Sequence, residues 1–146
     1  MQDAIAERLI LLVDDDVHHA DFIEDALRQS SQTHRILAIA DGTQVLDFLH
    51  RRNGYETASR PDLILLDLNL PGKDGREVLA EIKADPQLKR IPTIVLTLSD
   101  RSDDIFHTYL HQGNCYVIKS ANLEQLGQIV KRIEEFWLGI VTLPVE

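Results

Sequence analysis

Only one cysteine, Cys115, occurs in the 146 residues, so no internal disulfide can form. A lone thiol in apolar surroundings is typical of a protein from a reducing compartment. Basic residues are also scarce: 15 lysines and arginines stand against 24 acids, and the resulting formal net charge of −9 argues against binding to nucleic acid or to an anionic membrane. No apolar run has membrane-spanning length, and no secretory signal opens the chain. We therefore expect a cytoplasmic protein.

What the chain does contain is the composition of one ordinary globular domain. Hydrophobic residues make up 44% of it and charged residues 27%, which are typical proportions. The length suits one substantial hydrophobic core. We expect a single domain over residues 1–146, with a core at about 9–137 and an apolar C-terminal tail at 138–146.

Short apolar runs alternate with longer segments of helical periodicity along the chain. The runs predict five strands, at residues 9–13, 35–40, 63–66, 93–97 and 115–118. The periodic segments predict a helix after each strand, the first over 17–29 and the last over 123–137. Near-continuous apolar strands that alternate with helices are typical of a parallel sheet covered on both faces. The sequence therefore predicts an α/β fold of five β–α repeats, built as a doubly wound sheet.

Polar side chains follow most of the predicted strands, at the edge where such sheets bind ligands. They are Asp14, Asp15 and Asp16 after the first strand, Asp67 after the third, Thr97 and Ser99 at the fourth, and Lys119 after the fifth. Clustered carboxylates repel each other unless a cation neutralises them, and Mg²⁺ prefers such hard oxygen ligands. A carboxylate nucleophile, a lysine, a hydroxyl and a divalent ion are the groups that phosphoryl transfer to an aspartate requires. No glycine-rich nucleotide motif is present, which argues against a tightly bound nucleotide.

Four motifs in this order resemble the receiver domain of two-component response regulators. They are VDD at 13–15, LLDLNLPGKDG at 65–75, LTLS at 96–99 and YVIKS at 116–120. The resemblance extends over about residues 9–137, and it is specific as a combination although each motif alone is weak. It implies a flavodoxin-like fold with strand order 2-1-3-4-5. It also implies a signalling protein rather than an enzyme, phosphorylated by a histidine kinase.

The resemblance implies roles for the residues that would meet the phosphoryl group. Asp67 would accept it, Lys119 would pair with it, and Thr97 would donate a hydrogen bond to it. Tyr116 would be the aromatic side chain that changes rotamer as Thr97 moves. Phosphorylation would then be reported on the surface formed by the fourth helix, the fifth strand and the fifth helix.

The resemblance also implies a Mg²⁺ site. Asp15 would bind the ion directly and Asp14 through its water shell. Asp67 and the backbone carbonyl of Asn69 would complete the protein ligands.

Further segments resemble a narrower group within that family, the small response regulators paired with cyanobacterial phytochromes. The segments are NLPGKDGREVLAEIK at 69–83, LKRIP at 88–92, NCYVIKS at 114–120 and FWLGIVTLP at 136–144. This resemblance implies that a phytochrome is the partner kinase. Because no residues are left to encode an output domain, we expect a stand-alone regulator that signals through protein–protein contacts.

Two positions depart from the family pattern. Ser120 stands where receivers usually have proline after a cis bond, and a cis bond before serine would cost about 2.5–4 kcal/mol, so we expect a trans bond. Leu98 stands where receivers commonly have a smaller residue. We expect its side chain to crowd the approach to Asp67.

The last predicted helix carries two apolar stripes, whereas a helix that packs on one side needs one. The first consists of Leu126, Val130, Ile133 and Trp137, and the second of Ile129, Phe136 and Ile140. We expect the second stripe and the tail to form a homodimer interface. The alternative is a wider core contact with an ordered tail.

Two other functions use similar elements. A phosphohydrolase of the haloacid dehalogenase type also uses Mg²⁺ and an aspartyl phosphate, but it needs a general acid two residues after the nucleophile, where this chain has Asn69. A flavodoxin-like carrier would need a phosphate-binding loop after the first strand, where three aspartates would repel the flavin phosphate. A receiver that no longer cycles is a third alternative, although its site positions are intact.

The remaining candidates for chemistry have simpler interpretations. Asp16 is expected in the first turn of a helix, where acids favour the helix dipole. His18 and His19 are adjacent and cannot chelate one ion together, so both are expected at the surface. His107 and His111 share a helix face but lack an evident third ligand.

Overall fold

The computed structural model describes residues 7–29 and 34–144, and it contains every predicted strand and helix. The strands are β1 (Arg8–Val13), β2 (His34–Ile39), β3 (Leu63–Leu66), β4 (Thr93–Thr97) and β5 (Cys115–Ile118). The helices are α1 (Val17–Arg28), α2 (Gly42–Leu49), α3 (Gly75–Ala84), α4 (Ser102–Leu110) and α5 (Leu123–Glu134), and a π-helical segment (Glu135–Ile140) follows α5. All neighbouring strands pair in parallel, in the predicted order β2-β1-β3-β4-β5.

Successive residues of the central strands face opposite sides of the sheet, which produces two hydrophobic cores. Leu11 and Leu66 pack on the side covered by α2 and α3. Leu12 and Leu65 pack on the side covered by α1 and α5. Each fully buried leucine or isoleucine contributes about 1.5–3 kcal/mol of hydrophobic free energy. This double coverage explains why β3 and β4 read as continuous apolar runs in the sequence.

Acidic and amide side chains cap the N-termini of four of the described helices. Each accepts a hydrogen bond from a backbone N–H of the first turn, and the four residues are Asp16, Asp41, Asp74 and Asn122. Such caps satisfy N–H groups that have no partner within the helix. Asp16 therefore precedes the first turn of α1, one position before the place predicted for it.

The helix and strand ends differ from the predicted ends by a few residues. β2 begins and ends one residue earlier than predicted, and α5 ends at Glu134 instead of Trp137. Beyond Glu134 the backbone widens into the π-helical segment, whose last turn is closed by the N–H of Val141, which donates to the carbonyl of Phe136 over 2.8 Å. None of the helices within the described ranges is long and apolar enough to cross a membrane.

His19 is buried, so the prediction of a surface position was wrong for this residue. His18 is exposed, as predicted. The physical reason lies in α1, where His19 precedes Ile23 by one helical repeat and therefore lies on the face that packs on the sheet. Its Nδ1 atom lies 3.7 Å from an Asp16 carboxylate oxygen.

Candidate functional site

Most of the predicted site residues lie at the carboxyl ends of adjacent strands or directly beyond them, whereas Tyr116 lies within β5. The backbone ladder extends one residue past β3 and β5: the N–H of Asp67 donates to the carbonyl of Val13 over 2.9 Å, and the N–H of Lys119 donates to the carbonyl of Thr97 over 2.7 Å. Because β1, β3, β4 and β5 are consecutive in the sheet, their ends form one edge. The sheet itself thus fixes the backbone of the site.

Two side chains from neighbouring strands and one backbone N–H contact the carboxylate of Asp67. The ammonium of Lys119 lies 3.1 Å from Oδ2 of Asp67. The hydroxyl of Thr97 donates to Oδ1 of Asp67 over 2.8 Å, and the backbone N–H of Asn69 donates to the same oxygen over 3.1 Å. Asp67, Thr97 and Lys119 are all buried. The structure therefore brings together the residues for which phosphoryl-binding roles were predicted.

Lys119 also forms an ion pair with Asp14, with its Nζ atom 2.6 Å from Oδ2 of the carboxylate. Burial disfavours the charge on this ammonium, but the hydrogen bonds and attraction from Asp14 and Asp67 outweigh it, so the pKa of Lys119 lies above its ordinary value. Burial raises the pKa of Asp14, against the opposing hydrogen bond from Lys119. Lys119 is thus a permanent positive charge between two buried acids.

The carboxylates of Asp14, Asp15 and Asp67 form the one group of acids and histidines, within the described ranges, that is suited to a metal ion. One oxygen of each lies within 4.8 Å of the others. Asp14 and Asp67 are buried and Asp15 is exposed, so the group opens to solvent on one side. Three hard oxygens with an open side fit a small divalent cation that retains water ligands. Asn69 is exposed two residues after Asp67.

The chain turns sharply after Asp67 and comes back against the backbone of Asp67 and Leu68 at residue 75, a position that requires glycine. The N–H of Gly75 donates to the carbonyl of Leu68 over 2.9 Å. A β-carbon at Gly75 would collide with the backbone of Asp67 and Leu68. Gly72, with a φ of 72°, supplies the left-handed residue of the turn. This turn therefore places the start of α3 directly against the loop that carries Asp67.

Tyr116 lies beside the site rather than in it. Its hydroxyl donates to the carbonyl of Ser99 over 2.8 Å, and its ring packs against the core on the α2–α3 side. Burial raises the pKa of the Tyr116 hydroxyl. Tyr116 thus contacts the loop between β4 and α4, two residues beyond Thr97.

Ser120 and Leu98 are the two departures from the family pattern. The described part of the chain has no cis peptide bond, so the Lys119–Ser120 bond is trans, as expected. The Ser120 hydroxyl donates to Gln125 over 2.8 Å and accepts from the N–H of Asn122 over 3.1 Å, which ties this loop to the start of α5. Leu98 is 48% exposed directly after Thr97.

Sequence reasoning missed one group of polar side chains next to the site. Arg76 at the start of α3 binds Asp104 in the first turn of α4 through two hydrogen bonds of 2.7 and 2.9 Å. Asp104 also accepts a 2.6 Å hydrogen bond from the Ser99 hydroxyl. One signal was present: an arginine at a helix N-terminus opposes the helix dipole, which suggests that it has another partner.

Comparison with known proteins gives consistent results. The family model described as "Response regulator receiver domain" matches residues 10–131. Response regulator Rcp1 of Synechocystis sp. is 49% identical over 137 residues, which cover 94% of this chain and 93% of Rcp1. The crystal structure of the phosphorylated cyanobacterial phytochrome response regulator RcpA superposes with a TM-score of 0.94 at 56% identity and covers 96% of this chain and 100% of that one. The Mn²⁺-bound form of Rcp1 superposes with a TM-score of 0.92 at 48% identity and covers 94% of this chain and 99% of that one.

Proposed function

The chain belongs to the family of response regulator receiver domains, and we propose that it relays a signal by accepting a phosphoryl group on Asp67. Proteins of this family are signalling proteins that receive the group from a histidine kinase. The observation that carries the proposal is the Asp67 carboxylate itself, held between the Lys119 ammonium and the Thr97 hydroxyl and next to two further acids.

In the proposed reaction, an Asp67 carboxylate oxygen attacks the phosphorus of a phosphohistidine. The new O–P bond forms as the N–P bond breaks, and the imidazole leaves with the bonding electron pair. Thr97 and Lys119 contact the two oxygens of Asp67, which supports the proposal that both bind the oxygens of the arriving phosphoryl group. Burial strengthens these charge interactions because little water screens them.

Receiver domains bind a divalent metal at their acidic pocket, and we propose that the ion in this chain is Mg²⁺. Asp15 and Asp67 would hold it directly, Asp14 through water, and Asn69 through its backbone carbonyl. A bound divalent ion supplies positive charge that offsets the repulsion between these acids and an incoming phosphoryl group. The oxygen-only set formed by Asp14, Asp15 and Asp67 supports this assignment.

Phosphorylation should depend on the divalent ion. We expect intact mass spectrometry to detect one added phosphoryl group after incubation with a phosphorylated histidine kinase, or with acetyl phosphate, in the presence of Mg²⁺. A chelator in excess of the Mg²⁺ should suppress the mass increase, because the acids then repel the donor. Failure to label with both kinds of donor would remove the proposed function.

We propose that the partner kinase is a phytochrome. Support comes from the relatives, since RcpA is described as a cyanobacterial phytochrome response regulator. It also comes from the segments over 69–83 and 114–120 that first indicated this group.

The haloacid dehalogenase alternative gains no support, because the side chain of Asn69 has no acidic proton to donate.

Leu98 should limit the rate at which small donors phosphorylate Asp67. Its side chain is half-exposed and directly follows Thr97 in the chain. The substitution Leu98→Ala should increase the rate of labelling by acetyl phosphate a few-fold, a barrier change on the order of 0.5–1 kcal/mol. Leu110→Ala, a similarly exposed leucine on α4, is the matched control and should label at the wild-type rate. Equal rates for Leu98→Ala and wild type would remove this role.

We further propose that the chain forms a homodimer through α5 and the residues that follow it. The first predicted stripe packs on the sheet through Leu126, Val130 and Ile133, which are buried. Of the second stripe, Ile129 packs against the core, whereas Phe136 is 50% exposed and Ile140 is 73% exposed. Together with Val117 and Trp137, Phe136 lines an apolar groove along β5 and α5. Exposed apolar surface of this kind favours association.

Charges introduced into this surface should dissociate the dimer. For the double variant Phe136→Glu with Ile140→Glu, we expect a monomer mass in light scattering at concentrations where the wild type has twice that mass. Val17→Glu changes an equally exposed apolar residue on α1 and should leave the dimer intact. A wild-type mass that stays monomeric at every concentration would contradict the proposed dimer.

A further inference from the structure

A cleft of about 300 Å³ lies at the amino-terminal edge of the sheet, opposite the edge that carries Asp67. Three segments form its walls: the end of α2 with the residues after it, the loop before β3, and the turn after α3. They contribute residues 48–51, residues 59–61, and residues 85, 87 and 88. The volume is at the lower end of the range of small-molecule sites, so the cleft is large enough for a small ligand.

Positive groups line this cleft, although the formal net charge of the protein is −9. His50 and Arg51 belong to the wall after α2, and Arg60 belongs to the loop before β3. Among the described lining residues there is one acid, Asp85, whose Oδ1 atom accepts from the backbone N–H of Gln87 over 2.7 Å. Its Oδ2 atom lies 3.9 Å from Nδ1 of His50. Two arginines against one acid leave an excess of positive charge, which favours an anionic ligand.

Arg60 is held at the cleft by a contact between two of its walls. Its Nη1 atom donates to the carbonyl of Gln87 over 2.6 Å, which joins the loop before β3 to the turn after α3. A guanidinium carries five N–H donors, so it can bind phosphate oxygens beside its protein acceptors. Ser59, the preceding residue, also lines the cleft and carries a hydroxyl donor. A planar guanidinium next to a hydroxyl suits a phosphate group.

Arg51 has a backbone conformation that is unfavourable for arginine. Its φ of 55° lies in the left-handed region, which glycine usually occupies at the end of a helix. Its N–H donates to the carbonyl of Phe48 over 3.2 Å, so this conformation closes the end of α2. Residues in such conformations cluster at sites where the side chain has a function. Glycine would suit the turn better, and the arginine therefore indicates a use for its guanidinium.

Apolar side chains form another part of the cleft wall. Phe48, Leu49 and Leu88 line the cleft and are otherwise buried. An inorganic ion gains nothing from such a wall, whereas an organic group attached to a phosphate can bury apolar surface against it. A few polar groups beside apolar side chains are typical of small-molecule sites.

We propose that this cleft binds a small organic phosphate, with the phosphate group at Arg51 and Arg60 and the organic group against Phe48 and Leu88. The cleft and Asp67 lie at opposite edges of the sheet, so this site does not depend on the proposed phosphorylation. Isolated surface arginines attract anions weakly because water and salt screen them. Here two guanidinium groups and an apolar wall line the same cleft.

The experiment uses adenosine monophosphate as the probe, titrated into the isotope-labelled full chain without a divalent ion. Backbone amide resonances in NMR spectra report where it binds. We expect shifts concentrated at residues 48–51, 59–61 and 85–88, with a submillimolar dissociation constant. Arg60→Gln should weaken binding about 10-fold, because it removes a charged donor to the phosphate. Inorganic phosphate should bind more weakly than the nucleotide, because it lacks the organic group.

Two further variants separate binding from folding and from general attraction between charges. Arg51→Gly removes the guanidinium at a backbone conformation that glycine adopts readily. It should bind the probe about 10-fold more weakly than wild type and unfold at no lower temperature. Arg35→Gln is the matched control, because Arg35 is an exposed arginine at the same edge of the sheet, outside the cleft and paired with Glu7 over 2.8 Å. It should bind as the wild type does.

Several outcomes would overturn the proposal. One is the absence of shifts at the cleft with millimolar probe, and another is equal weakening by Arg35→Gln and Arg60→Gln, which would mean general attraction to basic side chains. Equal affinity for inorganic phosphate would mean an ion site only, and tighter binding of an acidic peptide would mean a protein partner. Shifts around Asp67 and Lys119 alone would place the probe at the phosphorylation site. If Arg60→Gln fails to fold, Arg51→Gly decides the question.

Discussion

An asparagine at position 67 is expected to reduce phosphoryl incorporation to background. The amide keeps the size of the side chain and an oxygen that can accept from Thr97, but it lacks the anionic oxygen that attacks phosphorus. The folded state of Asp67→Asn should be as stable as that of wild type. The substitution relieves repulsion between Asp67 and Asp14, which share the ammonium of Lys119. The measurement is the intact mass of wild type and Asp67→Asn after incubation with Mg²⁺ and a phosphorylated histidine kinase.

Asp16→Asn provides the matched control for this experiment. Asp16 lies in the acidic run after β1, but its carboxylate caps α1 and belongs to no predicted ligand set. Asparagine is also a good capping residue, so this variant should label as the wild type does. A mass increase in Asp67→Asn equal to that of wild type would place the phosphoryl group on another residue.

Loss of the ammonium at position 119 should produce the largest change in stability. In Lys119→Gln, the buried carboxylates of Asp14 and Asp67 lose the cation that lies between them. Breaking a buried ion pair from one side costs about 3–5 kcal/mol, because the remaining charge stays unpaired. Chemical denaturation should show a loss of this order without a divalent ion, and Mg²⁺ should recover part of it by binding to the folded protein.

The same substitution at Lys73 controls for the loss of a lysine. Lys73 pairs with Glu81 over 2.9 Å, but both side chains are more than one-third exposed. Exposed pairs contribute about 0–1 kcal/mol, so Lys73→Gln should unfold near the wild-type midpoint and show no added dependence on Mg²⁺. Equal stability of the two variants would mean that the acids at 14 and 67 do not need Lys119.

Strands were the part of the structure best predicted from sequence. β3, β4 and β5 have the predicted ends, because each is a short apolar run bounded by polar or turn residues. The position of the site could also be predicted, because parallel strands bring their carboxyl ends to one edge of the sheet. This rule alone predicts that Asp67, Thr97 and Lys119 lie close together. The strand order came from the family resemblance, because no local pattern specifies which strands are neighbours.

Three other features were not predicted from the sequence. The burial of His19 follows from which face of α1 packs on the sheet, and the apolar spacing could have shown this. The Arg76–Asp104 pair joins residues far apart in sequence, and no periodicity links them. The π-helical end of α5 replaces an expected α-helix, a change of backbone geometry to which side-chain spacing is insensitive.

The close contact of Gly75 with the backbone of Asp67 and Leu68 has a mechanical consequence. Since no side chain separates the two segments, a displacement of the acceptor cannot be absorbed by rotamer changes at their junction. We therefore expect the first turn of α3 to move together with Asp67. A larger residue at position 75 would collide with this backbone, so it would displace the segment that carries Asp67.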